Sequence, residues 1–145
     1  VIAANVNDLK LVECWAEADP TQRGRFDFPI HVGTGAGASS VIYFEVDPGD
    51  NCGRHTHSAE EVLYLSEGEA EVEVSGERLK ASKGGLIVVP TMAPHNVYNT
   101  GAGPVCVVGF FAAAAVITVL ENEISPFGVN ELIIGQKVQE PAPVD

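Results

Sequence analysis

One short stretch, Gly49-Asp50-Asn51-Cys52-Gly53-Arg54-His55-Thr56-His57-Ser58-Ala59-Glu60-Glu61, carries metal-ligand side chains at a spacing that an extended chain turns into a cluster. His55, His57 and Glu61 are separated by two and four residues. Successive side chains of a strand point to opposite faces, so residues of equal parity share a face. The three are therefore expected on one face, with Leu63 and Leu65 continuing it and Glu60, Val62, Tyr64 and Ser66 opposite. Two imidazoles and a carboxylate converging from one side make a site for a borderline divalent metal. A further histidine, His95, lies 34 residues beyond Glu61, in Gly84 to Asn99.

The rest of the chain reads as short strands and turns. Leu9 to Trp15 forms a first strand, closed by Asp19-Pro20. Arg25 to Ile30 alternates with period two, and Pro29 marks it as an edge strand. Gly33 to Gly37 lacks the Lys-Ser/Thr ending of a phosphate loop and reads as a flexible loop. Ser40 to Val46 is β-branched and aromatic. Glu61 to Ser66 and Glu69 to Val74 read as a hairpin around Glu67-Gly68, with Glu69, Glu71 and Glu73 outward. Ser75-Gly76 turns the chain again, and Leu86 to Val89 is a short buried strand. His95, Val97 and Asn99 share a face of the next strand, and 104–111 forms another. Ala112 to Ala115 has helical propensity, whereas Val116 to Leu120 favours a strand. Many short strands between turns imply an all-β barrel or sandwich.

The 145 residues suit one domain, 1–145, with a mobile tail over 136–145 marked by Pro141 and Pro143. A hydrophobic content of 46% excludes a disordered composition. With 8 basic and 20 acidic residues the net charge is -12, which argues against nucleic-acid and anionic-membrane partners. Cys14, Cys52 and Cys106 have no close pairing, which suggests free thiols, a reducing compartment and hence a cytoplasmic location. Cys52 reads as a small packed loop residue. The N-terminus shows no signal-peptide pattern, and the apolar run from Val105 to Leu120 falls short of a spanning helix.

With these residues in view, the chain resembles the cupins. Gly49, His55, His57, Glu61 and Gly68 fill every fixed position of the first cupin motif. Gly84, Pro90, His95 and Asn99 match the second, with Met92 where the family usually has glycine. The resemblance implies an all-β, cupin-type double-stranded β-helix, or jelly-roll barrel. It implies one metal held by His55, His57, Glu61 and His95. Met92 raises the question of whether the turn before His95 still forms.

Three imidazoles and one carboxylate suit Fe(II), Mn(II), Ni(II), Co(II) or Zn(II) rather than thiolate-seeking centres. Four protein ligands on an octahedral ion leave two positions for a small-molecule substrate, or for substrate and dioxygen. The expected function is a dioxygenase of a chelating enol, diketone or phenolic compound, with Glu61 also a candidate catalytic base. A non-redox cyclase, isomerase, dehydratase or decarboxylase, and a non-catalytic ligand binder, stay open. Tyr43 or Phe44 is a candidate cavity residue, and His31 a candidate for the mouth. Tyr64 and Tyr98 lie on the wrong parity. A homodimer is expected, with the strand around Trp15 or the Phe110 to Leu120 stretch at the interface.

Overall fold

The structure is a computed structural model and describes residues 2–135. The tail expected to be mobile, 136–145, lies outside the described residues. The strands are β1 (Val12–Ala16), β2 (Asp19–Ile30), β3 (Ser40–Val46), β4 (His55–His57), β5 (Glu61–Glu67) and β6 (Glu69–Val74). They continue with β7 (Glu77–Ser82), β8 (Leu86–Val89), β9 (His95–Asn99), β10 (Val105–Phe111), β11 (Val116–Ile124) and β12 (Val129–Ile134). Two six-stranded antiparallel sheets form a jelly roll, ordered β1-β2-β3-β10-β5-β8 and β12-β11-β4-β9-β6-β7.

Period-two patterning sets which side chains enter. Along β10, Val105, Val107 and Phe111 are buried while Phe110 is exposed. Along β11, Val116, Thr118 and Leu120 point in, and Ile117 and Val119 point out. Phe44, Val46, Leu63, Leu65, Val105 and Val107 from the first sheet meet Ala70, Val72 and Val97 from the second. Each fully buried Val or Leu contributes about 1.5–3 kcal/mol. Phe111, Val116 and Ile134 form a separate cluster.

Several expectations need correction. Glu67-Gly68 is not a hairpin turn, because β5 and β6 lie in different sheets. Gly68 has φ 90°, and a Cβ there would lie 2.5 Å from Pro104 O. Only glycine lets the chain turn that corner so closely against the strand arriving from 104. The true two-residue hairpin is β6–β7, through Ser75 and Gly76 with φ 50° and 84°.

Only part of Arg25 to Ile30 is an edge: β1 pairs with β2 as far as Phe26, and 27–30 border β3 alone. Pro29 falls in the register shift between Asp27 and Ile30, where no regular ladder bond is required of it. β8 is the edge on the other side, and its outer face is exposed, with Leu86 at 70% and Val88 at 56%. Ala112 to Ala115 is a bend rather than a helix. The 33–37 segment begins in a 3-10 turn, Val32–Thr34, capped by His31. Glu73 is outward by parity yet buried, because Arg54 and Arg78 cover it at 3.7 and 3.2 Å.

Candidate metal centre

β4 is only three residues long and places His55 and His57 at its two ends, on one face as parity requires. It is held between β11, through Thr118↔His57 and Leu120↔His55, and β9, through His55↔His95. Glu61 arrives differently. The chain bends over 58–60, pinned where Ser58 N donates to Ile117 O at 2.9 Å, and crosses to the opposite sheet. Glu61 opens β5 and faces the imidazoles across the barrel. The structure brings these side chains together, but Glu61 reaches the imidazoles by sheet-to-sheet apposition and not by sharing a strand with them.

His55, His57 and His95 offer ligand atoms that all lie within 4.8 Å of one another. Their ring centroids are 4.1 to 4.9 Å apart. Glu61 Oε1 lies 3.5 Å from His57 Nε2 and 3.4 Å from His95 Nε2. His57, Glu61 and His95 are buried, at 4%, 2% and 1% exposure.

Each imidazole is braced on its far nitrogen. His55 Nδ1 donates to Gly53 O at 2.6 Å and His95 Nδ1 to Ala93 O at 2.9 Å, while His57 Nδ1 is hydrogen-bonded to the Thr118 hydroxyl at 2.8 Å. The carbonyl partners fix the tautomer, and all three aim Nε2 at a common point. Burial, reinforced by the neighbouring imidazoles, lowers the His55 pKa to about 3 and pushes that of His57 down as well. Burial drives the Glu61 carboxyl above its usual range.

The fit to a cation follows from these contacts. His95 Nε2 is buried and has no hydrogen-bond partner, since it is not aligned to donate to Glu61. With Nδ1 the donor, Nε2 is an acceptor facing a carboxylate oxygen. Acceptors set against acceptors in a dry interior are costly unless a cation lies between them. The group could hold a metal ion.

Met92 resolves the question of the turn. Its φ is 63°, the left-handed region that glycine enters freely. The turn forms regardless: Met92 N donates to His57 O at 2.8 Å, and the side chain is 56% exposed. Asn99 acts away from the centre. Its Nδ2 donates to Val46 O and Gly103 O, both at 2.8 Å, tying the end of β9 to neighbouring backbone.

A cavity of about 80 Å³ adjoins the imidazoles, room for a few waters. Phe26, Phe28, Ile42, Phe44, Leu120 and Ile124 form much of its wall. Phe44 lines it as one alternative had it, whereas the Tyr43 hydroxyl donates to Glu45 Oε2 at 2.6 Å. Trp15 also lines it, so the first strand is used within the chain. His31 does not line it; its Nδ1 accepts from Gly33 N. Cys52 does line it, and burial pushes its thiol up to about 12, which leaves it a packing residue rather than a nucleophile.

Thr118 and Gly109 were missed by the sequence reading. Thr118 sits on the inward row of β11, a signal that was legible, but its pairing with a histidine 61 residues away was not. A Cβ on Gly109 would run into Glu61 Oε2.

Comparison with known proteins agrees with this architecture. Residues 42–111 match the family described as the cupin domain. No curated protein matches the chain. Among solved structures, the chain is similar to an oxalate decarboxylase of Lactobacillus farciminis in a formate complex, at 26% identity and TM-score 0.68. That match covers 79% of this chain but 34% of the other, so the chain spans about a third of the decarboxylase. It is similar to the polyketide cyclase RemF of Streptomyces resistomycificus at 20% identity and TM-score 0.61, covering 75% and 77% of the two chains. A cupin 2 domain-containing protein of Halorhodospira halophila aligns at 24% identity and TM-score 0.56, covering 61% and 63%. The match over residues 42–111 and the shared fold support a place in the cupin superfamily.

Proposed function

We propose that this protein is a single-domain, mononuclear metal-dependent cupin enzyme for a small, largely apolar organic substrate, and that it is a dioxygenase of a chelating enol, diketone or phenolic compound. The observation that carries the reading is the convergence of three braced imidazoles and one carboxylate on the end of an apolar cavity. His55, His57, His95 and Glu61 are the proposed ligands. A divalent Fe, Mn, Ni, Co or Zn bound there supplies Lewis acidity and, for the redox-capable ions, electron transfer.

The remaining work falls to the chain. Phe26, Phe28 and Phe44 exclude water and hold a flat, apolar substrate body against the centre. Glu61 has the second role of proton acceptor through its carboxylate. A cation beside it would favour its charged form and weaken it as a base, so this role needs the carboxylate displaced from the metal into the apolar surroundings. The wall offers no uncommitted cation among the described residues. Arg23 pairs with Glu13 at 2.8 Å, and Arg25 with Asp47 at 2.9 Å and Glu45 at 3.3 Å. A small dicarboxylate such as oxalate would therefore lack a counter-charge in the wall, which favours the apolar substrate class.

A non-redox reading, as cyclase, isomerase or decarboxylase, draws support from the likeness to an oxalate decarboxylase and a polyketide cyclase. Oxygen uptake by Fe(II)- or Ni(II)-loaded protein with a panel of diketones and phenols tests the choice. Dioxygenation predicts turnover that stops without oxygen. Equal product formation without oxygen and with Zn(II) bound would overturn it in favour of the non-redox reading. No product with any panel member, alongside tight binding, would favour a ligand binder.

The three thiols, all free, support a cytoplasmic setting. No helix among the described residues is long and apolar enough to cross a membrane. A homodimer is part of the proposal, supported by the apolar outer face of the first sheet. There Leu86, Tyr64 and Val108 align across strands, as do Val88, Val62 and Phe110.

A further inference from the structure

Glycine inside a strand gives up side-chain packing and conformational restriction, so its presence in a buried row asks for a reason. Gly109 sits in the inward row of β10 among Val105, Val107 and Phe111, all of them fully packed. Its φ is not in the left-handed region, so backbone conformation does not require glycine there. The reason lies in space. Gly109 pairs with Ile42 on β3 and Leu63 on β5. A Cβ at this position would run into Glu61 Oε2, and would lie 3.1 Å from Glu61 Cδ and 2.7 Å from Ile42 Cγ2.

The two carboxylate oxygens thus have different surroundings. Oε1 faces the imidazoles of His57 and His95 at 3.5 and 3.4 Å. Oε2 occupies the space where any other residue at 109 would place its side chain. Among the described residues, those two imidazoles are the side-chain partners of the carboxylate. The orientation of Glu61 is therefore set by shape and not by bracing hydrogen bonds.

We propose that Gly109 is a positioning residue: the recess it leaves holds Glu61 Oε2 and so presents Oε1 alone to the metal position. The inference rests on the reading of Glu61 as a ligand. A methyl group at 109 expels Oε2, rotates the carboxylate off its axis and spoils the donor set without touching any imidazole. Repositioning a ligand's support in this way weakens metal binding by about 10–100-fold.

The test is a double-mutant cycle on metal affinity, with Co(II) as the probe, measured by chelator competition and by its visible absorption. The variants are Gly109→Ala, Glu61→Ala and the two combined. Gly109→Ala is expected to lose about 10–100-fold in affinity and to change the Co(II) spectrum. The combined variant is expected to bind no more weakly than Glu61→Ala alone, because with no carboxylate left the recess has nothing to hold.

Ile42 is the other group in the way, so Ile42→Ala/Gly109→Ala relieves that contact and keeps the protein folded if the single variant does not fold. The same loss of affinity is expected there, with far-ultraviolet circular dichroism and Trp15 fluorescence reporting the fold. Gly109→Ala affinity within twofold of the parent, or losses that multiply in the combined variant, would overturn the proposal while leaving Glu61 a ligand. Parent-like affinity in Glu61→Ala would overturn the ligand reading and this inference together.

Discussion

The two sheets contribute to the centre in opposite ways. The sheet containing β4 and β9 supplies three imidazoles, each locked by a hydrogen bond on its outer nitrogen. The sheet containing β5 and β10 supplies one carboxylate, set by the shape of the space around it. A braced donor keeps its aim whether or not a cation is present. An unbraced donor keeps it only while its neighbours leave one place to go. The arrangement thus sets three imidazoles aimed by hydrogen bonds against a carboxylate whose place is fixed by shape alone.

The largest break in this comparison comes from the platform. His57→Ala or His95→Ala removes a braced donor that nothing nearby can replace. Each is expected to lower bound metal from one per chain to a small fraction of that, measured by elemental analysis after dialysis. Glu61→Gln removes charge and keeps shape, so its loss is expected to be smaller than that of either histidine variant. Parent-like metal content in both histidine variants would refute the platform.

A finer break targets the brace and not the donor. Thr118→Val keeps the volume of Thr118 but removes the hydroxyl bonded to His57 Nδ1, leaving a buried imidazole free to rotate or change tautomer. An affinity loss of about 10-fold or more is expected in the same competition assay. Thr118→Ser should restore most of it. Equal affinity in the valine and serine variants would show that the brace does nothing for the centre.

Both outer faces carry apolar side chains: the first sheet exposes Leu86, Val88 and Phe110, and the second exposes Ile117, Val119 and Ile133 beside Glu73 under Arg54 and Arg78. If the first sheet's outer face seats a second copy, Phe110→Glu/Val88→Glu should shift the protein from dimer to monomer in light scattering. Lys80→Glu, on the second sheet, should not. A monomeric parent at micromolar concentration ends the proposal.

How much of this was legible beforehand depends on range. The donors His55, His57 and Glu61 were visible because local spacing and residue chemistry are written in consecutive residues. His95 entered through the family motif. The barrel class was visible in the alternation of Glu61 to Leu65 and Val116 to Leu120. The sheet crossing at Gly68 was not, because a glycine turn between alternating segments looks the same whether the chain folds back or turns a corner. What decides is the approach of Pro104, 36 residues later. For the same reason Thr118 and Gly109 could not be assigned. Each acts on a residue dozens of positions away, and only the register of β10 and β11 brings them together. Glu73 failed in a related manner: parity gave its face correctly but could not show that two arginines cover it.

The smallest expected effect concerns Met92, where the chain departs from the family pattern and still forms the turn. A non-glycine residue in the left-handed region carries a penalty of about 1–2 kcal/mol. Met92→Gly removes that penalty but adds backbone freedom to the unfolded chain, which costs about 0.4–1 kcal/mol. The side chain is exposed, so little packing is lost with it. The net expectation is a stabilisation between zero and about 1.6 kcal/mol, or a rise of up to a few degrees in Tm. Metal affinity should be unchanged, because Met92 N keeps its bond to His57 O in either variant. A fall in Tm would mean that the methionine side chain stabilises the native state through contacts that its exposure in the monomer does not reveal. Burial of this side chain against a second copy would do so, and concentration-dependent melting of the parent, absent in the variant, would identify that cause.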